Sequence, residues 1–348
     1  MAETPAATPA PPGPIARADL PVWARELITQ YESHAASQFL LSGNVGDRLV
    51  LPGRSGAQAL GSLRDFLLEA LLPGFQVVLS YDLGNGIRVE KGAEEFAKWP
   101  ALREGKELPK TPHAAIETLT RYFRYTANLA RLGQGSVHVA AIVRDAHLVA
   151  PAQPGSTAYD LAAIASLLRE WASDSLLTNH TLVTLLVTEN LADLHPLVAT
   201  NPRTARVRIP LPEATEMAGA LRALAPDAPL ALGPLAAEPE GLQRAAAELA
   251  GATVASVESL VRIKQYKKEG LGAADLSRIK KEIVERDSGE LIEFVHSTLS
   301  LADFHGPEPL KAWLRQDLEL WRQGDVKALP KGYLVCGPVG TGKRFLVE

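Results

Sequence analysis

Apolar residues recur along this chain in two rhythms, one of three and four residues and one of short unbroken runs, and their alternation predicts the fold. Pro21 suits a first helical turn, and Trp23, Leu27 and Tyr31 then share one face of a helix. The run Phe39-Leu40-Leu41 is a first short strand. Leu60, Leu63, Phe66, Leu67 and Leu71 return at helical spacing and predict an amphipathic helix over residues 57–72. Phe75 to Tyr81 reads as a buried strand, Asp82 to Gly86 as turn chemistry, and 92–99 as a short helix. Ile116, Leu119, Phe123 and Leu132 support a further helix ended at Gly133. Strands follow at Val137 to Val143 and Leu182 to Val187, with a helix over 157–177 between them. Ile209-Pro-Leu-Pro212 predicts a fifth, short strand stopped by its prolines.

Five short apolar strands separated by helices indicate a parallel sheet covered on both faces. After Glu213 the rhythm is helical. Leu242, Ala246 and Leu249, then Val254, Val257, Leu260 and Ile263, form two amphipathic patterns around Gly251. A charged helix over 274–294 follows, with Ile279, Ile283, Leu291 and Ile292 apolar. A helical cap therefore comes after the sheet.

Composition narrows the class without naming it. The 348 residues, 46% hydrophobic and 22% charged, suit a globular protein of two domains. A formal net charge of −4 with no long basic run points to neither nucleic acid nor an anionic membrane as a general partner. The single cysteine, Cys336, cannot form an internal disulfide. No apolar run reaches the roughly 18 residues of a membrane span, so a cytoplasmic protein is expected. Residues 2–18, rich in Ala, Pro and Thr without a basic start or apolar core, read as a disordered tail rather than a signal peptide.

Chemistry concentrates at the far end. The apolar run Tyr333-Leu-Val-Cys336, expected as a strand, leads into Gly337, Pro338, Val339, Gly340, Thr341, Gly342, Lys343 and Arg344, a phosphate-binding loop of spacing GxxxxGK. Its glycines let the backbone bring several N–H groups to one phosphate, and Lys343 carries a positive charge to the outer phosphates. A helix should run out of the loop and add its N-terminal dipole. Arg344 stands where the motif wants a Ser or Thr hydroxyl to hold Mg²⁺, so nucleotide binding is expected ahead of hydrolysis. The chain ends at Glu348, so the carboxylate that such a loop needs from a later strand is expected beyond it.

Other polar groups sit where the strands end. Ser42-Gly-Asn-Val-Gly-Asp47 occupies the place of a first phosphate loop, but it has no lysine and Asp47 would repel phosphate. It is either an unusual nucleotide site or a tight turn, left by a lost site or unrelated to one. Asp145 ends an apolar strand as a Mg²⁺-holding carboxylate would, yet Ala146 follows in place of a general base. His147 reads as a hydrogen-bonding residue or a substitute base. Asn190 suits a phosphate sensor or, with no phosphate loop in the same domain, a helix cap. Arg203, Arg206 and Arg208 are solvated edge charges or fingers toward a neighbouring subunit's nucleotide. No metal-ligand set emerges from His138 and His147.

Taken together, these features resemble the AAA+ ATPase family. The five-stranded sheet, the Asn190 strand end, the Ile-Pro-Leu-Pro segment and the helical lid look like one degenerate AAA+ module. Leu301-Ala-Asp-Phe-His-Gly306, Leu310-Lys-Ala-Trp-Leu314 and the GxxGTGK loop look like the opening of a second. With Gly289-Glu-Leu-Ile-Glu at the lid's end, the arrangement is most similar to tandem bacterial, cyanobacterial and plastid-encoded AAA ATPases of unassigned function. The resemblance divides the chain into a tail (1–18), a degenerate α/β P-loop NTPase core (19–212), a helical lid (213–297) and the start of a second module (298–348). It implies ATP and Mg²⁺ as ligands, a homo-oligomeric ring, usually hexameric, and remodelling of a protein client. The differing class of reading is a scaffold with the same fold that binds partners without turnover. A nucleic-acid motor ranks below both for want of a basic stripe. This chain by itself is expected not to hydrolyse ATP.

Overall fold

The computed structural model describes residues 17, 20–51, 59–102, 107–153, 158–272, 275–276, 278, 303–322, 330, 332–336 and 338. Two compact units divide the chain, Met1–Lys280 and Lys281–Glu348.

The first unit opens with α1 (Val22–Glu32) and β1 (Gln38–Gly43), followed by a hairpin of β2 (Arg48–Leu51) and β3 (Ala59–Ser62). A helix α2 (Leu63–Phe66), continued by a π turn Leu67–Leu71, leads to β4 (Val77–Asp82) and β5 (Gly86–Lys91). Then come α3 (Ala93–Ala97), α4 (Pro112–Arg131), β6 (Val139–Val143), α5 (Ala146–Val149), α6 (Tyr159–Glu170), α7 (Ser175–Thr178) and β7 (Leu182–Val187). After α8 (Pro196–Ala199) and β8 (Ala205–Ile209) the chain is helical: α9 (Ala214–Leu224), α10 (Pro229–Ala237), α11 (Gly241–Leu249) and α12 (Val254–Lys267).

Six strands form one sheet in the order β5-β4-β6-β7-β1-β8, parallel except for the antiparallel edge pair β4–β5. Successive side chains on a strand point to opposite faces, so each apolar strand feeds two cores. In β1, Leu40 joins α4, α6 and the fully buried Trp171, while Phe39 and Leu41 face Trp23 and Leu27 of α1 with Phe66 of α2. Strands covered in this way have no polar face, which is why the sequence showed them as unbroken apolar runs.

Several expectations change. The sheet has six strands rather than five, because turn chemistry at Asp82–Gly86 returns the chain antiparallel along β4. Asp82 Oδ1 accepts from the backbone N–H (2.8 Å) and the side-chain amide (2.7 Å) of Asn85, closing that turn. The helix expected over 57–72 starts only at Leu63. Ser62 and Asp65 form a reciprocal capping box there, and Leu60 and Gly61 belong to β3 with Gly61 packed under Leu51. The fifth parallel strand is Ala205–Ile209, so Arg206 and Arg208 lie within it and its prolines follow it. Likewise the helix expected over 157–177 is interrupted between Glu170 and Ser175.

A half-buried ion pair ties the β5 edge to α2. The Arg64 guanidinium grips the Glu90 carboxylate, which also accepts from Ser80 Oγ at 2.6 Å. The Arg64 hydrogen bond outweighs burial and, with Ser80, holds Glu90 below its ordinary value of 4.5. The native pKa is thus the lower one, so the contribution is full above about pH 4.5 and is lost as pH falls through the depressed value. Glu90→Gln should therefore flatten the acid limb of a stability–pH curve measured by urea unfolding. An unchanged acid limb would show the pair to be inert.

In the second unit the helix Glu308–Arg322 carries Trp313 against Tyr333, ring centroids 5.6 Å apart, and Tyr333 Oη donates to Asp317 at 2.8 Å. Tyr333 to Cys336 are exposed and form no strand, contrary to expectation. An apolar run this short takes strand geometry only from ladder partners, and the described residues provide none there. The predicted helix over 274–294 lies largely outside the described residues, as does the segment with Gly289.

Candidate functional site

Ligands of an open, mostly parallel sheet bind outside the carboxyl ends of its strands. In this chain β1 runs between β7 and β8 and delivers the loop Ser42–Asp47 to that edge. Gly43 turns with φ +95, and a Cβ there would stand 2.6 Å from the Ile209 carbonyl oxygen, so only glycine lets the loop cross so close to β8.

Three of the loop's backbone donors are spent inside the chain. Gly43 N–H donates to Glu189 O (3.0 Å), Asn44 N–H to Ile209 O (2.9 Å) and Val45 N–H to Gly43 O (2.8 Å). The segment then enters β2 rather than a helix, so no helix of its own offers a dipole to an anion. The helix N-terminus that does meet this loop belongs to α12, more than two hundred residues later, and Asp47 fills it. Asp47 is buried. Its Oδ2 accepts from Val254 N–H (2.8 Å) and from the Asn44 side-chain amide (2.9 Å). Its Oδ1 accepts from Ala255 N–H (2.9 Å) and Arg48 N–H (2.7 Å).

A helix leaves its first N–H groups unpaired, and all of them in α12 are accounted for. Ser256 N–H goes to Thr253 Oγ1 at 3.3 Å, completing the cap. The carboxylate of Asp47 thus supplies the negative charge that a phosphate would bring to such a place. Residues 42–47 form a tight turn closed on itself. Sequence reading saw Asp47 as a repellent of phosphate and missed its helix, because nothing local links positions separated by 207 residues.

The remaining strand ends are polar and similarly engaged. Thr188 Oγ1 donates to Asn190 O (3.1 Å) and stands 3.1 Å from His147 Nδ1. Thr188 Oγ1 and His147 Nδ1 are hydrogen-bonded, so His147 bridges two strand ends. Asn190 Oδ1 accepts from Ala192 N–H at 3.1 Å, the capping role anticipated for it. Asp145 is exposed with φ 48, and its side chain caps nothing at the start of α5. Asp82 is a second buried carboxylate at this edge. Burial would raise its pKa, but the Asn85 hydrogen bonds, then Arg144 at 3.7 Å and Arg88 at 3.8 Å, bring it below the ordinary value.

Arg203 and Arg206 donate to the carbonyls of Ser173 (3.2 Å) and Ala199 (2.7 Å), so both are held by their own chain, and Arg208 is exposed. Among the described residues no group of three or more His, Cys, Asp or Glu could hold a metal ion, and no helix is long and apolar enough to cross a membrane. Of the expected nucleotide loop, Pro338 is described and exposed. Gly337, Val339, Gly340, Thr341, Gly342, Lys343 and Arg344 lie outside the described residues.

Comparison with known proteins adds a family. The model described as "AAA+ chaperone, N-terminal Rossmann-like domain" matches residues 8–210, the stretch that holds the whole sheet. No curated protein matches the chain. Among solved structures, a chain of the E. coli MS115-1 HORMA:CdnC:Trip13 complex is similar at 15% identity and a TM-score of 0.41. That match covers 74% of this chain and 80% of the other, and a likeness so distant carries no functional argument.

Proposed function

Because the chain belongs to the AAA+ chaperone family that is marked by an N-terminal Rossmann-like domain, we propose that it is a chaperone-type subunit whose first module holds no nucleotide. The observation that carries the reading is Asp47: its carboxylate takes the α12 N–H groups at the strand edge where a nucleotide's phosphate would otherwise be sought. ATP then binds through the second loop. There the amides of 339–344 cradle the phosphates and Lys343 neutralises the outer ones. The subunit works in a homo-oligomeric ring on a protein client, with Mg²⁺ weakly held because Arg344 has no hydroxyl.

The scaffold reading draws on the same Arg344 and on the closed loop at Asp47. Calorimetric titration of ATP into the intact protein, with and without Mg²⁺, separates the two. The expected result is binding of similar strength in both conditions, and a gain in Mg²⁺ dependence in Arg344→Thr. No binding in either condition would leave the scaffold.

A further inference from the structure

Helices α9 to α12 have a core of their own. Their buried side chains, among them Met217, Leu221, Leu232, Leu249, Val257 and Val261, belong to neither of the two cores that sandwich the sheet. Such a body is free to tilt unless something fixes it to the sheet edge. The described polar links converge on one place. Asp47 leaves β1's loop and takes the first two N–H groups of α12. Next to it, Arg48 reaches from β2 to Glu258 on the same helix, Nε to Oε2 3.5 Å, while its other end donates to Leu60 O at 3.2 Å. Glu258 is itself largely buried and further braced by Arg262 of α12.

We propose that Asp47, seconded by the Arg48–Glu258 pair, is a built-in clasp that keeps the α9–α12 body in one fixed position on the sheet without any ligand. In a site where an anion bridges a loop and a helix, the two parts come together or separate with the anion. Here the anion is part of the chain and cannot leave. The helical body therefore moves with the sheet as one rigid lever, and whatever turns one turns the other. The clasp depends on no nucleotide, so absence of ATP binding at the second loop would leave it standing.

Amide hydrogen exchange of the intact, nucleotide-free protein tests it. Asp47→Ala should speed exchange throughout α9–α12 together by about tenfold to a hundredfold, the worth of one or two hydrogen bonds to a charged acceptor, while β6 and β7 keep their protection. Thr253→Ala removes a cap of the same helix without crossing to the sheet, and its effect should stop at the first turn of α12. If Asp47→Ala does not fold, Asp47→Asn keeps one acceptor oxygen and should loosen the same four helices to a smaller degree. Faster exchange confined to Val254 and Ala255, an equal rise in the sheet strands, or a Thr253→Ala effect as wide as that of Asp47 would each overturn the clasp.

Discussion

Asp47→Ala should lower the stability of the α9–α12 body by about 3 kcal/mol, read as an earlier urea midpoint for these helices while that of the sheet is kept. The figure follows from the donors left behind. A hydrogen bond to a charged group is worth ~1.5–3 kcal/mol, and loss of a helix cap alone costs ~1 kcal/mol. Four donors surround this carboxylate, two of them at a helix N-terminus where the dipole favours its charge. Against this stands the cost of keeping a buried carboxylate out of water, which alanine relieves, so the net is well below the sum of four bonds. Asp47→Asn should cost less, about 2 kcal/mol, because its oxygen still accepts while its amide faces N–H donors. A shift under ~0.5 kcal/mol for alanine would mean that water replaces the carboxylate at no loss.

The second large effect is functional. Lys343→Ala should weaken ATP binding by about tenfold to a hundredfold, since a charge-assisted contact to phosphate contributes ~1.5–3 kcal/mol. Stability of the Met1–Lys280 unit should be unchanged, because position 343 lies outside it. Titration of ATP into Lys343→Ala and Asp47→Ala side by side gives the contrast: affinity falls in the first and is retained in the second. The reverse pattern would move the nucleotide to the first module.

The parallel strands were legible because burial on both faces leaves only apolar residues, and β1, β4, β6 and β7 lie where the apolar runs are. The edge strand β5 escaped because Ile87-Arg-Val-Glu-Lys91 alternates, a weaker signal than an unbroken run, although the turn before it was read correctly. At β3 a helical spacing of leucines won over Ser62 and Asp65, whose capping box marks the true helix start. Asn190 was legible as a cap because the donor it serves is two residues away. The partner of Asp47 was not, since the sheet brings together positions that no local pattern connects. The glycine spacing and Lys343 of the second loop carry their meaning in sequence alone.

The central claim is that the first module's strand-edge loop is closed by its own carboxylate and that ATP is held elsewhere on the chain. An ATP footprint by amide exchange on the intact protein tests this most directly, comparing peptides that span residues 38–51 and 333–348 with and without saturating ATP. The account predicts slowed exchange in the second peptide and no change in the first. Slowed exchange at 42–47, with none at 337–344, would contradict it.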